Sequence, residues 1–439
     1  MNLIYDIDDK PKAGQLIVFA FQQLLAILAA TIAVPMIIGN DMQPAAALFG
    51  AGIGTLVYVA FTKAKSPVFL GSSFAFLGSM GAAFAGAASV AAGYAGLIIG
   101  AFLAGLVYVI IAAIVKFVGV EWINKLMPAH VIGPTVAIIG LSLAGNAVGD
   151  LQTADAGGSV YVALCCGLVT LFVVCICSVY GKKMGKLIPF IIGIVAGYIV
   201  ALIFTLVGNA TNNDALKVID FSIFAELKVF SVPRFTFTEA LKGVKEIDFT
   251  YIISLIAAYV PVALVVFAEH IADHKNISSI IGRDLLKEPG LHRTLLGDGV
   301  GSMVGAFFGG CPNTTYGESV ACVAITRNAS VRTILCTAVL AIIISFFGPF
   351  VTFLDSIPKC VMGGVCMTLY GFIAVSGLKM VQKVDLNDNR NLFVVSVILI
   401  AGIGGLALTF GKVTITSIAT ALILGIIMNI VLNKKGEKA

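Results

Sequence analysis

The sequence predicts an all-α polytopic membrane protein, with fourteen transmembrane segments in two inverted halves of seven. Three observations predict it. First, 59% of the 439 residues are hydrophobic and only 12% are charged, against about 25% charged in a typical soluble domain. No soluble fold of this length has enough interior to bury that much apolar surface. Second, apolar runs of about 18 residues or more, each long enough to cross roughly 30 Å of hydrocarbon, follow one another along the chain. Third, the basic residues gather on one side of the resulting topology, as the positive-inside rule requires of short loops.

Taken in order, the spans lie near 15–38, 44–62, 68–87, 92–116, 129–149, 159–180, 186–207, 250–272, 295–309, 314–327, 331–353, 360–378, 391–410 and 415–432. The stretch before the first carries Asp6, Asp8 and Asp9. It lacks the basic start and small-residue cleavage site of a secretory signal, so the first span is expected to be retained. With a cytoplasmic N-terminus, most of the 28 Lys and Arg residues fall inside. They include Lys63, Lys65, Lys182, Lys183, Lys186, Arg283, Arg327, Lys379, Lys434, Lys435 and Lys438. The exceptions are Lys359, Lys412 and a group in one long connection, 208–249: Lys217, Lys228, Arg234, Lys242 and Lys245. Both termini are therefore expected in the cytoplasm. Seven spans precede that connection and seven follow it. Seven is odd, so the second half enters from the opposite side, the inverted repeat common in secondary transporters.

The third span of each half is broken. One reads Ser66-Pro67-Val68-Phe69-Leu70-Gly71-Ser72-Ser73-Phe74-Ala75-Phe76, the other Gly309-Gly310-Cys311-Pro312-Asn313-Thr314-Thr315-Tyr316-Gly317-Glu318. Both open with proline and small polar residues and then turn apolar. Non-helical backbone survives at membrane depth only where protein or a wet cavity satisfies it. Matched interruptions point to a binding site, with each half-helix start aiming N–H groups at a polar ligand.

Few ionisable groups lie within spans. Glu269 sits deep in span eight, His270 follows, and Asp273 is one turn on, on the Glu269 face. Glu318 opens the helical part of span ten. Carboxyls in hydrocarbon are costly and usually serve a function. Away from water they favour the neutral acid, which donates one hydrogen bond and accepts another, as an amide-bearing heterocycle requires. The same groups can carry a proton. His270 is expected to cap or pack, His274 and Lys275 to be loop residues, and 273–297 to be a solvated connector. Asp298 is expected to cap a helix after Gly297, and Gly50, Gly52 and Gly54 to allow close helix packing.

Other classes find no support. The net charge of +5 is spread out and gives no case for nucleic acid. The nine cysteines show no CxxC pair and read as small buried hydrophobes. No metal site is expected, no phosphate loop occurs, and no Ser/His/Asp or Cys/His constellation suggests an enzyme. A channel would favour a continuous polar stripe along several helices, which is not seen.

These residues also carry a family resemblance. It rests on Ala268-Glu269-His270, on Arg283-Asp284-Leu285-Leu286-Lys287-Glu288-Pro289-Gly290-Leu291-His292-Arg293, and on Pro312-Asn313-Thr314-Thr315-Tyr316-Gly317-Glu318 through Ala324-Ile325-Thr326-Arg327. Gly71 to Phe76, Gln22-Gln23, Ala30-Thr31 and Pro358 to Gly364 extend it over nearly the whole chain. The sequence resembles the nucleobase–ascorbate transporter family. The resemblance implies short antiparallel strands in spans three and ten. It implies a core domain of residues 1–128 and 250–357 and a gate domain of residues 129–249 and 358–439. Members are proton or sodium symporters, use no cofactor and commonly dimerise through the gate domain. Carried over by position, Glu269 and Glu318 would hydrogen-bond the substrate ring, backbone groups at Phe74 and Gly317 would assist, Phe74 would pack on the ring, and Ala30 would line the site. Glu269, Asp273 and Glu318 would handle the coupling proton.

Two positions depart from the family pattern. Ser319-Val320-Ala321 stands where Asn, any residue, Gly is usual, which puts Ser319 beside the substrate site. Asp273 stands where uracil-transporting members have histidine and purine-transporting ones often have aspartate. Against that, Tyr316-Gly317-Glu318 resembles the uracil type, since purine transporters usually carry glutamine there. The resemblance therefore implies proton-coupled import of uracil across a bacterial inner membrane, with xanthine or urate, or sodium coupling, as the alternatives.

Overall fold

The computed structural model describes residues 3–119, 121–182, 184–225, 227–410 and 413–433. Lys183, Lys412, Lys434, Lys435 and Lys438, which enter the charge distribution above, lie outside the described residues. The first half contains α1 (Ala13–Ile38), α2 (Pro44–Phe61), β1 (Leu70–Ser72), α3 (Leu77–Ala85), α4 (Val90–Val118), α5 (Glu121–Leu126), α6 (Ala129–Ser142), α7 (Ala144–Leu151), α8 (Val160–Tyr180), α9 (Met184–Leu187) and α10 (Pro189–Thr211). The connection after it holds α11 (Thr236–Gly243). The second half contains α12 (Phe249–Ile281), α13 (Leu291–Gly309), β2 (Asn313–Thr315), α14 (Gly317–Thr326), α15 (Val331–Ile344), α16 (Gly348–Asp355), α17 (Lys359–Val381), α18 (Asn389–Ile403), β3 (Leu408–Phe410), β4 (Val413–Ile415) and α19 (Ser417–Asn433).

Among the described residues, α1, α2, α4, the α6–α7 pair, α8, α10, α12 and α17 are long and apolar enough to cross a bilayer. α14, α15, α18, α19 and the Phe74–Ala85 stretch are shorter apolar helices. Local chemistry sets their ends. Ser89 accepts from Ala92 N–H at the start of α4 (3.1 Å), and Asp248 accepts from Tyr251 N–H at the start of α12 (2.6 Å), each occupying an otherwise unpaired donor. α12 stops where Gly282 takes a left-handed conformation, φ +72°.

Several boundaries differ from the sequence reading. Nothing breaks α12 before Gly282, so His274 and Lys275 are helical, and His274 is fully buried. The connector shrinks to 282–290, because α13 begins at Leu291. Asp298 lies within α13 and caps nothing. Span five is divided at Leu143, and span eleven at Ser345–Phe347, just before Pro349. Span thirteen ends at Ile403, where Gly404 and Gly405 follow and Gly405 has φ +71°. Residues 408–410 then pair antiparallel with 413–415 instead of continuing the helix.

The helices pack in two neighbourhoods. α2 lies against α13 and α15, and α4 against α11, α12 and α13. α6 lies against α17 and α18, and α8 against α10 and α17. In the first group, small residues bring backbones together as membrane helices require. A Cβ at Gly301 would lie 2.8 Å from the Gly54 carbonyl, and one at Gly50 would collide with the Gly305 carbonyl. Gly50 and Gly54 thus do what their spacing suggested, and Gly301 and Gly305 are their partners across the seam. Gly52 serves a different contact, facing the backbone of α15 at Ala338.

Candidate functional site

Pro67 stands three residues ahead of one short extended segment, and Pro312 directly precedes the other. β1 and β2 pair antiparallel, Leu70 with Thr315, Gly71 with Thr314 and Ser72 with Asn313. The pair is extended by Ser73 N–H donating to the Pro312 carbonyl (2.9 Å) and Tyr316 N–H to the Phe69 carbonyl (3.2 Å). The Tyr316 hydroxyl donates to the Ser72 carbonyl (2.8 Å). Leu70 N–H donates to Thr55 Oγ1 (3.0 Å). Backbone groups that no helix satisfies are thus satisfied by neighbouring protein, the condition for non-helical chain inside a membrane protein. Gly71 is needed because a Cβ there would overlap the Tyr316 ring.

Ser319 completes this support. Its hydroxyl oxygen accepts from Phe69 N–H (3.0 Å) and from Gln23 Nε2–H (2.5 Å). It therefore ties α14 to the lead-in of β1 and to α1. Ser319→Ala leaves two buried donors unpaired. The expected cost is about 1–3 kcal/mol, read as a lower midpoint in thermal unfolding of the detergent-purified protein.

A cavity of about 370 Å³ opens beside the strand pair. Its walls come from both helix neighbourhoods: Glu269, Ala272 and Asp273 of α12, Thr314 to Glu318 of β2 and α14, Ser73 to Ala75 after β1, Ala26 of α1, Val136 and Ile139 of α6, Lys186 and Leu187 of α9, Pro189 and Phe190 of α10, and Leu369, Phe372, Ile373, Ser376 and Met380 of α17. Glu269, Asp273 and Glu318 are each partly exposed to it. Asp273 Oδ2 accepts from Thr315 Oγ1 (2.8 Å), so one carboxyl is linked to the strand. Among the described residues, no other side chain donates to the Glu269 or Glu318 carboxyl. The Phe74 ring meets the Tyr370 ring edge-to-face at 5.9 Å. Three carboxyl groups, an aromatic face and the first turn of α14 thus converge on one space. Its size falls within the range of small-molecule sites.

Behind Glu269 the polar groups are linked to one another. His270 Nδ1–H donates to Asp298 Oδ2 (2.7 Å), and His270 Nε2 lies 3.0 Å from Thr294 Oγ1. His274 Nδ1–H donates to the His270 carbonyl (2.8 Å), and its Nε2 lies 2.7 Å from the Tyr58 hydroxyl, itself 2.7 Å from Ser66 Oγ. The two imidazoles stack with centroids 4.0 Å apart. Buried polar groups joined this way fix one arrangement of α2, α12 and α13, since an orphaned member would be costly.

Of the residues singled out from the sequence, Glu269, Asp273, Glu318, Phe74 and Gly317 line this cavity. Ala30 and Ser319 are buried behind it, outside its lining. His270 packs as expected, through a specific bond. The sequence reading missed Asp298 as a partner, although an acid among Leu295, Leu296 and Val300 was a signal. It also missed Lys186 and Ser376, and it missed Phe372 and Met380, which carry no signal: apolar residues of a span look alike whether they face lipid or a cavity.

Apolar helices around an internal cavity into which three carboxyl groups project describe a membrane protein with a small-molecule site. The sequence pattern of the Permease family matches residues 14–411, and the chain belongs to that family. It is 41% identical to the uracil permease of Bacillus caldolyticus over 439 residues, covering 99% of this chain and 96% of that one. It is 38% identical to the uracil permease of Bacillus subtilis (strain 168) over 440 residues, covering 98% and 96%. In fold it is similar to the murine solute carrier 26 family member A9 anion transporter in the inward-facing state. That match has a TM-score of 0.68 and 12% identity, covering 97% of this chain and 69% of that one. The relatives are permeases, so the chain is a multi-pass membrane transporter rather than an enzyme.

Proposed function

We propose that this protein imports uracil by proton symport across a bacterial inner membrane. The observation that carries the reading is the meeting of Glu269 and Glu318, from two separate helices, with Phe74 on one cavity. Uracil offers alternating N–H donors and carbonyl acceptors on a flat ring. Neutral glutamic acids match that pattern edge-on, and Phe74 supplies a surface for the face. The names of the relatives support uracil as the cargo.

Fourteen spans in two inverted halves serve the cycle. The neighbourhood of α1 to α4 and α12 to α15 acts as the core domain, and that of α6 to α10 and α17 to α19 as the gate, through which two copies dimerise. The division is supported by the packing of α2 on α13 and of α6 on α17. The cavity lies between the groups, so rocking one against the other would open it to each side in turn. Lys186, an exposed residue of the lining, and the bias of basic residues support a cavity that opens, like both termini, toward the cytoplasm. Glu269 binds substrate and exchanges the proton, Glu318 binds substrate, and Asp273, held by Thr315, tunes protonation. Ala30 and Ser319 support the site from behind.

The test is uptake of radiolabelled uracil by cells lacking their own permease. Accumulation above background, abolished by collapse of the pH gradient and indifferent to sodium, is expected. Uptake of xanthine with no uptake of uracil would overturn the substrate, and sodium-dependent uptake that survives an uncoupler would overturn the coupling.

A further inference from the structure

Asp298 Oδ1, the Tyr108 hydroxyl and Asn313 Oδ1 are among the buried oxygens that no described residue pairs. All three residues line one small space of about 10 Å³ between α4, α13 and the start of β2. Their remaining bonds settle what each offers. Asp298 Oδ2 is taken by His270, which leaves Oδ1 to accept. The Asn313 amide donates from Nδ2 to the Gly50 carbonyl (3.0 Å), so its oxygen also accepts. The Tyr108 phenol has a proton to give.

Two acceptors and one donor are the complement of one water molecule, which donates twice and accepts once. The space is of the size that holds a single water. A metal cation would match the two acceptors but has no lone pair to receive the phenol proton. An empty space would leave three buried polar groups unpaired, which native proteins avoid. We propose that one buried water occupies this space, joining Asp298 of α13, Tyr108 of α4 and Asn313 of β2, and that Tyr108 is thereby a positioning residue for β2. The strand it steadies carries Thr314 and Thr315, which line the large cavity. The bridge holds the edge of that cavity from behind without touching anything bound in it.

The test needs no transport measurement, so it stands or falls separately from the uracil assignment. An experimental map of the wild-type protein at about 2 Å resolution is expected to show one peak at about 2.7–3.0 Å from all three oxygens. Tyr108→Phe keeps the ring and removes the donor. It is expected to abolish or displace that peak and to speed amide exchange at residues 313–316 about fivefold or more, as local opening becomes easier. The proposal is overturned by a wild-type map that resolves other buried waters but none here. It is also overturned by a peak whose occupancy follows sodium concentration, or by Tyr108→Phe with peak and exchange unchanged.

Discussion

Replacing Glu269 or Glu318 by alanine is expected to weaken uracil binding by at least about thirtyfold and to reduce uptake to background. Each carboxyl faces the cavity with no other side chain donating to it, so its hydrogen-bonding capacity is available to a ligand. Losing two hydrogen bonds to a buried polar ring costs on the order of 2–4 kcal/mol, and each 1.4 kcal/mol is a factor of ten in affinity. Glutamine should separate the roles. Glu318→Gln keeps a donor and an acceptor and should bind uracil within about tenfold of wild type. Glu269→Gln should likewise retain binding but fail to accumulate substrate, because an amide cannot carry the proton. Binding is read by ligand-induced thermal stabilisation, since a ligand that prefers the folded state raises its stability by mass action. If alanine at both positions leaves affinity and uptake intact, the proposed site is wrong.

Gly305→Val is expected to prevent accumulation of folded protein. A Cβ at this position would run into the Asn313 side-chain amide, which is itself fixed by its bond to the Gly50 carbonyl. On the same seam, Gly50 already faces the Gly305 backbone too closely for a side chain. Neither helix can shift without disturbing β2, so the strain has no easy outlet. Overpacking a rigid site usually costs about 1–3 kcal/mol, and a displaced buried amide adds a penalty of similar size. Yield and elution profile in detergent report the result, with Gly78→Val as a control because a Cβ there meets nothing within 4 Å among the described residues. A well-folded Gly305→Val protein would show the seam to be softer than described.

The class of fold was legible because hydropathy reports the cost of placing each residue in lipid. The interruptions after Pro67 and Pro312 were equally plain, and both became strands. Glu269 and Glu318 stood out as acids in apolar runs. What escaped was burial supplied by other helices. His274 reads as a polar loop residue by composition, yet it is fully buried and bonded to Tyr58. Asp298 likewise depends on His270, a residue from a different helix. Hydropathy also could not tell that Val136 and Phe372 line a cavity, since facing lipid and facing a ligand favour the same side chains. The 408–410 strand was lost for a related reason: Leu408 and Phe410 are as apolar as any helix, and only Gly404-Gly405 marked the end.

The strand pair joins parts of the chain that emerge from the ribosome far apart. Ser72 and Tyr316, bonded to each other, are separated by 244 residues. Until the second half has been made and inserted, the Phe69 and Ser73 amides lack Ser319 and Pro312, the partners that make their place in the bilayer tolerable. The early segment must therefore remain near water or a chaperoning insertase while most of the remaining helices are threaded. A truncated chain ending before residue 300 should consequently be poorly integrated and rapidly degraded, even though its early apolar helices are present in full.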